Sequence, residues 1–194
     1  MLELFAFISF TLFASGTVPY IVSVKRGLTN PHIMSIYIFL MLGFLNVASQ
    51  FAEGASLSLV FPFFTIIVNV TLLIVMQKSE IGAVRPMDVF SLNASMLIVL
   101  VWWLTNSAAL AIVLLTLVNI IAKILVTKKV YEHPYSEPIK TYLFWIGGSF
   151  FTMLSVGSLD WILLLPAFNN IVTLTIIVIT MVTMRKSKPL IDKN

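Results

Sequence analysis

Residues 25–77 decide the fold: KRGLTNPHIMSIYIFLMLGFLNVASQFAEGASLSLVFPFFTIIVNVTLLIVMQ. A basic pair, Lys25-Arg26, is followed by Pro31, a long apolar run, Gly54, Pro62 and a second apolar run. Residues 128–184 repeat that order as KKVYEHPYSEPIKTYLFWIGGSFFTMLSVGSLDWILLLPAFNNIVTLTIIVITMVTM. The offset is 103 residues at the basic pair, at the first proline (Pro134) and at the glycine (Gly157), and 104 at the later proline (Pro166). A period shared by helix breakers as well as by apolar runs marks an internal duplication.

The duplicated unit is a piece of membrane protein. Of 194 residues, 59% are hydrophobic and 10% charged, with a mean hydropathy of +1.03. A soluble domain is nearer half apolar and a quarter charged. Cysteine is absent, which excludes a disulfide framework and a thiolate metal site. In a membrane protein, the net charge of +4 reflects cytoplasmic loops rather than nucleic-acid binding.

A span needs about 20 mostly apolar residues. Seven such stretches are expected, at 4–24, 33–52, 57–77, 87–105, 108–127, 141–158 and 161–184. The fourth and fifth come from one apolar run, cut at Thr105-Asn106-Ser107. The first is no cleaved signal, because Glu3 stands where a basic region would precede the apolar part.

Loop charges orient the chain. With seven spans and the N-terminus outside, the inner segments hold Lys25, Arg26, Lys78, Arg85, Lys128, Lys129, Lys140, Arg185, Lys186, Lys188 and Lys193. The outer segments hold Glu3, Glu53 and Asp160, and no Lys or Arg. This one-sidedness is the positive-inside rule. Lys123 is the only other basic residue, and is expected to snorkel to the inner face. A three-helix unit starts outside and ends inside, so a second copy in the same orientation requires one extra crossing. The expectation is an all-α polytopic protein of the plasma (inner) membrane. Its plan is 3+1+3, with repeat 1 in residues 1–77, a linker helix in 78–106, repeat 2 in 107–186 and a cytoplasmic tail in 187–194. Parallel repeats about the membrane normal are a known transporter plan, with the solute site at the repeat interface.

The chain resembles the SWEET, SemiSWEET and PQ-loop transporters. In that family a three-helix bundle carries a Pro-Gln pair in its first helix, then a basic residue, a glycine near the end of the second helix, and a proline with polar residues in the third. Pro19-Tyr20 stands at the Pro-Gln position, followed by Lys25-Arg26, Gly54, Pro62 and Asn69-Val-Thr71. The second copy offers Lys128-Lys129, Gly157, Pro166 and Asn170-Ile-Val-Thr173. Departures are Tyr20 in place of the glutamine and Ala122 where Pro19 would recur. Ala52 and Met153 stand where sugar-carrying members often have Trp. The resemblance implies a SWEET-like fold and transport of a sugar-like solute.

The candidate solute-binding residues are Asn46, Ser49, Gln50, Thr65, Asn69, Trp145, Asn169, Asn170 and Thr173. Thr65 and Asn69 share a helix face, as do Asn169 and Thr173. The offset of 104 pairs Thr65 with Asn169 and Asn69 with Thr173. Amides in hydrocarbon are costly unless they face a bundle interior or a wet cavity. Amides and hydroxyls give a neutral polar solute both donors and acceptors. The same residue types also serve as interhelical hydrogen bonders. Asn46, Ser49 and Gln50 would form a polar wall opposite Phe150, Met153 and Leu154. Pro19, Pro62 and Pro166 are candidate hinges, since proline removes a backbone hydrogen bond. His32 and His133 read as solvated loop residues.

No acid–base pair stands mid-span, so no enzyme is indicated and no cofactor or metal is expected. The expected partners are a small-molecule solute and the lipid bilayer, with homo-oligomerisation left open. Facilitative transport of a small neutral polar solute by alternating access is the leading expectation. The alternatives are a seven-helix receptor and a non-transporting membrane scaffold or assembly protein. A retinal protein is disfavoured, because residues 161–184 lack a lysine.

Overall fold

A computed structural model describes residues 1–27, 29, 31, 33–76 and 86–187. The side chains of Ile33, Met34, Ser35, Met87, Asp88, Ser91 and Leu125 lie outside the description. So do His32, Gln77, Lys78, Arg85, Lys188 and Lys193, which the sequence analysis placed in inner segments or at a span end.

Seven α-helices are described: α1 (Leu2–Lys25), α2 (Ile33–Ala52), α3 (Val60–Val75), α4 (Pro86–Thr105), α5 (Ala108–Glu132), α6 (Ile139–Ser155) and α7 (Trp161–Ser187). A 3₁₀ turn, Leu57–Leu59, leads into α3. The stretches Leu2–Lys25, Leu57–Val75, Ala108–Glu132 and Trp161–Ser187 are long and apolar enough to cross a membrane, as expected of a membrane protein. Among the described residues α2 and α4 contribute the shorter apolar stretches Ile36–Ala52 and Leu92–Thr105. The 17-residue α6 is shorter than the expected span and carries a row of buried small polar residues, Thr141, Ser149, Thr152 and Ser155. Its other face is apolar and exposed, with Leu143, Phe144, Phe150 and Leu154.

The breakers end helices where the sequence places them. Gly54 closes α2 with φ +90°, a conformation in which a Cβ is strained. Gly54 N–H bonds Phe51 O at 3.0 Å and Ala55 N–H bonds Gln50 O at 2.9 Å, the Schellman pattern that satisfies the last carbonyls. Gly157, its counterpart after α6, has φ +75°. The cut at residues 105–107 is a tight helix–helix turn. Asn106 takes φ 50°, which asparagine tolerates, and Ser107 caps α5 by accepting from Leu110 N–H at 3.3 Å. At its other end α5 runs five residues past the expected span, carrying Lys128 and Lys129 within the helix.

Pairwise packing links six of the helices in a closed series. Helix α3 packs on both α1 and α2, and α7 on both α5 and α6. Helix α1 packs most extensively on α6, and α2 packs on α5. The result is a ring in the order α1, α3, α2, α5, α7, α6, with α4 outside against α2 and α5. Two apolar clusters each draw on three helices. One joins Val24, Ile36, Leu72 and Met76, and the other joins Val130, Tyr142, Leu174, Ile177 and Met181. A third cluster binds α4 through Ile98 to Ile38, Leu42, Ala111, Leu115 and Val118. Phe13 of α1, 1% exposed, lies against Phe61 and Phe64 of α3 at ring-centre distances of 5.0 and 5.5 Å.

The seam between α1 and α6 is hydrogen-bonded along its length. Ser9 Oγ donates to Gly148 O at 2.9 Å and lies 2.8 Å from Thr152 Oγ1. Thr141 Oγ1 donates to Gly16 O at 3.0 Å, and Trp145 Nε1 to Thr17 Oγ1 at 2.9 Å. The order of these pairs makes the two helices antiparallel. Small residues permit the approach, as is usual where helices meet in a membrane.

Candidate functional site

A cavity opens inside the ring, lined by α2, α3, α5 and α7. From α2 come Phe39, Leu42, Gly43 and Asn46, and from α3 Phe61, Pro62 and Thr65. From α5 come Thr116, Asn119 and Lys123, and from α7 Pro166, Asn169 and Asn170. Its volume of about 50 Å³ is room for a few waters.

The duplicated positions divide at this cavity. Pro62 and Pro166 line it, and so do Thr65 and Asn169. The next pair does not. Asn69 is buried and donates through Nδ2 to Thr65 O at 2.8 Å. Thr173 Oγ1 donates to Asn169 O at 2.7 Å. One helical turn therefore separates the pair that lines the cavity from the pair that does not, although Thr65 also bonds its own helix, through Oγ1 to Phe61 O at 3.1 Å.

The remaining sequence candidates fall in three places. Asn46 lines the cavity, with its Nδ2 on Leu42 O at 3.1 Å. Ser49 and Gln50 are buried beyond it, and Gln50 Nε2 reaches Asn46 Oδ1 at 3.5 Å. Trp145 lies in the α1–α6 seam, packed on Tyr142 and Tyr20 at 5.4 and 6.1 Å, and does not line the cavity. Pro19 is exposed within an unbroken α1.

Lys123 departs from expectation. Its ammonium lines the cavity and donates to Asn170 Oδ1 instead of reaching for the inner face. Helical side chains tilt toward the helix N-terminus, which turns Lys123 toward the middle of the bundle. Asn170 is held for this contact from behind. Its Nδ2 donates to Ser149 Oγ at 2.7 Å, and Ser149 Oγ donates to Trp145 O at 2.8 Å. A polar chain thus runs from α5 through α7 into α6. Thr116 and Asn119 were also missed, although 116, 119 and 123 share one helix face at i, i+3 and i+7. Their own-helix bonds, Thr116 Oγ1 to Ile112 O at 2.8 Å and Asn119 Nδ2 to Leu115 O at 3.0 Å, leave the Asn119 carbonyl oxygen free to accept.

Asn169 is the least committed group. The residue is 8% exposed and its amide has no hydrogen-bond partner among the described residues. Buried amides are ordinarily bonded, so this one is suited to a bound molecule. Searches against protein-family models, curated proteins and solved structures return no match for the chain.

Proposed function

We propose that this membrane protein is a facilitative transporter for a small polar solute, working by alternating access between two like-oriented three-helix repeats. The repeats are residues 1–77 and 107–186, with α4 as the linker crossing. One observation carries the reading. A cavity inside the helix ring, with polar groups set in a mainly apolar wall, takes Pro62 and Thr65 from one triplet and Pro166 and Asn169 from the other, at equivalent positions. The matching helix order in the triplets supports it, with α3 and α7 each in the middle. So does the duplicated pattern of basic pair, proline and glycine. The resemblance to SWEET and PQ-loop transporters agrees with this arrangement. The chain sits in the plasma membrane as seven spans, N-terminus outside and C-terminus in the cytoplasm, by the positive-inside rule. The short α6 crosses as part of the ring, with its exposed apolar face toward lipid.

Solute uptake by the purified protein in proteoliposomes tests the proposal. Saturable uptake that falls on Asn169→Ala supports it. No flux of any tested solute, together with a stable complex with another membrane protein, would favour the scaffold reading.

A further inference from the structure

We propose that Lys123 and Asn169 make the central cavity a binding site for a small carboxylate. The proposal rests on the transport reading for the role of the cavity, but its binding readout stands apart from flux.

A lysine in the middle of an apolar bundle either sheds its proton or keeps it beside a counter-charge, and intramembrane charges are usually paired or functional. Lys123 has neither an Asp nor a Glu on the cavity wall among the described residues. Glu53 and Asp160 lie in the loops that follow α2 and α6, Glu132 ends α5, and Glu137 is 2.7 Å from Lys129 Nζ. The one hydrogen-bond partner of Lys123 Nζ among the described residues is the neutral Asn170 oxygen. An ammonium carries three donors, so two remain. The unpartnered Asn169 amide lines the same cavity and offers two further donors.

The chemistry that answers this set carries one negative charge and at least two acceptor atoms. A carboxylate supplies both, with one oxygen for the ammonium and one for the amide. One cation balances one anion, which disfavours dianions. The free Asn119 oxygen can accept from a hydroxyl on the same solute. The small cavity restricts the acid to a few carbons. A neutral sugar would leave Lys123 without its counter-charge.

The test is equilibrium binding of radiolabelled lactate to the full-length protein in detergent, with acetate, lactamide, glucose and chloride as competitors. The wild type is expected to bind lactate and to release it to acetate. Lactamide, which keeps the shape and lacks the charge, and chloride, which lacks the second acceptor, are expected to compete poorly. Lys123→Gln should weaken binding by about tenfold or more, the scale of a hydrogen bond to a charged group. Lys123→Arg should retain most of it. The proposal is overturned if the wild type does not bind lactate, if lactamide, glucose or chloride competes as well as acetate, or if Lys123→Gln binds like the wild type. Should Lys123→Gln not fold, the contrast between acetate and lactamide on the wild type decides. Uptake in proteoliposomes separates this proposal from the previous one. Lactate bound without uptake overturns transport and leaves the site. Glucose uptake indifferent to Lys123→Gln overturns the site and leaves transport.

Discussion

Thr141 Oγ1 donates to the Gly16 carbonyl at 3.0 Å, where α1 and α6 approach closely. A Cβ built on Gly16 would stand 2.9 Å from Phe144 Cβ and 3.0 Å from the Thr141 carbonyl oxygen. Neither atom can swing away, so the helices would have to part. Gly16→Ala is expected to destabilise the protein by about 1–3 kcal/mol, the scale of overpacking. Thr141→Val keeps the shape and removes the donor, at about 0.5–1 kcal/mol. Thermal unfolding in detergent ranks the two, and an alanine at position 16 that melts with the wild type contradicts the close approach.

Trp145→Phe isolates the indole hydrogen bond. The variant loses Nε1–H to Thr17 Oγ1 and keeps a ring for Tyr142 and Tyr20 to pack on. A loss of about 1 kcal/mol is expected in the same melt. A loss as large as that of Trp145→Ala would mean that the hydrogen bond carries most of the contact.

Arg185 fastens the segment between α5 and α6 to the end of α7. Its Nε donates to Pro134 O and its Nη2 to Glu137 O, both at 2.8 Å, and its guanidinium lies 4.8 Å from the Tyr135 ring centre. Lysine cannot reproduce that fork. Both Arg185→Ala and Arg185→Lys should therefore speed proteolytic cleavage between residues 132 and 138. The Lys129–Glu137 pair adds little, because Lys129 is 44% exposed and such pairs are worth about 0–1 kcal/mol. Equal cleavage of wild type and variants would show that the segment is held by something else.

Asn69 and Asn169 separate binding from packing. Asn169→Ala should weaken solute binding by about two- to tenfold, the value of one neutral hydrogen bond. Asn69→Ala should act on thermal stability first, since its amide bonds Thr65 O. Solute affinity measured beside melting temperature distinguishes them, and the reverse ranking contradicts the cavity wall described.

Reporter fusions test the orientation. A tag within residues 105–107 should be reached from outside, and one at residues 128–129 only from the cytoplasm. Both on one side would remove the like orientation of the triplets.

The helices were largely legible from the sequence because their punctuation is chemical. Gly54, Gly157, Asn106 and Ser107 each end or start a helix by a backbone requirement that a neighbouring residue type would not meet. Apolar runs gave seven expected spans, and four helices among the described residues are long and apolar enough to cross a membrane, while the small polar face of α6 is explained only by α1 beside it. At the site, the offset of 104 singled out Thr65 and Asn169, and the cavity has both. It also singled out Asn69 and Thr173, which bond within their helices. Whether a polar side chain reaches the cavity is a matter of one helical turn, and bonding to the helix's own backbone does not decide it, since Asn46, Thr65, Thr116 and Asn119 do both. Lys123 was misread for a different reason. Its distance from the inner loop suited a snorkelling lysine, whereas the partner that holds it, Asn170, lies 47 residues away in the chain.

The ring is stitched on one side and greased on the other. Hydroxyls and an indole tie α1 to α6 at several levels, while α2 meets α5 through Ile38, Leu42, Ala111, Leu115 and Val118. Directional bonds resist sliding, and dispersion contacts between smooth apolar faces reform after a shift. The stitched side is thus held in register, whereas the greased side, which α4 covers through Ile98, can slide without breaking a directional bond. Asn46 and Lys123 line the cavity from these two helices, so a shift along the greased side would change the spacing between an amide and an amine.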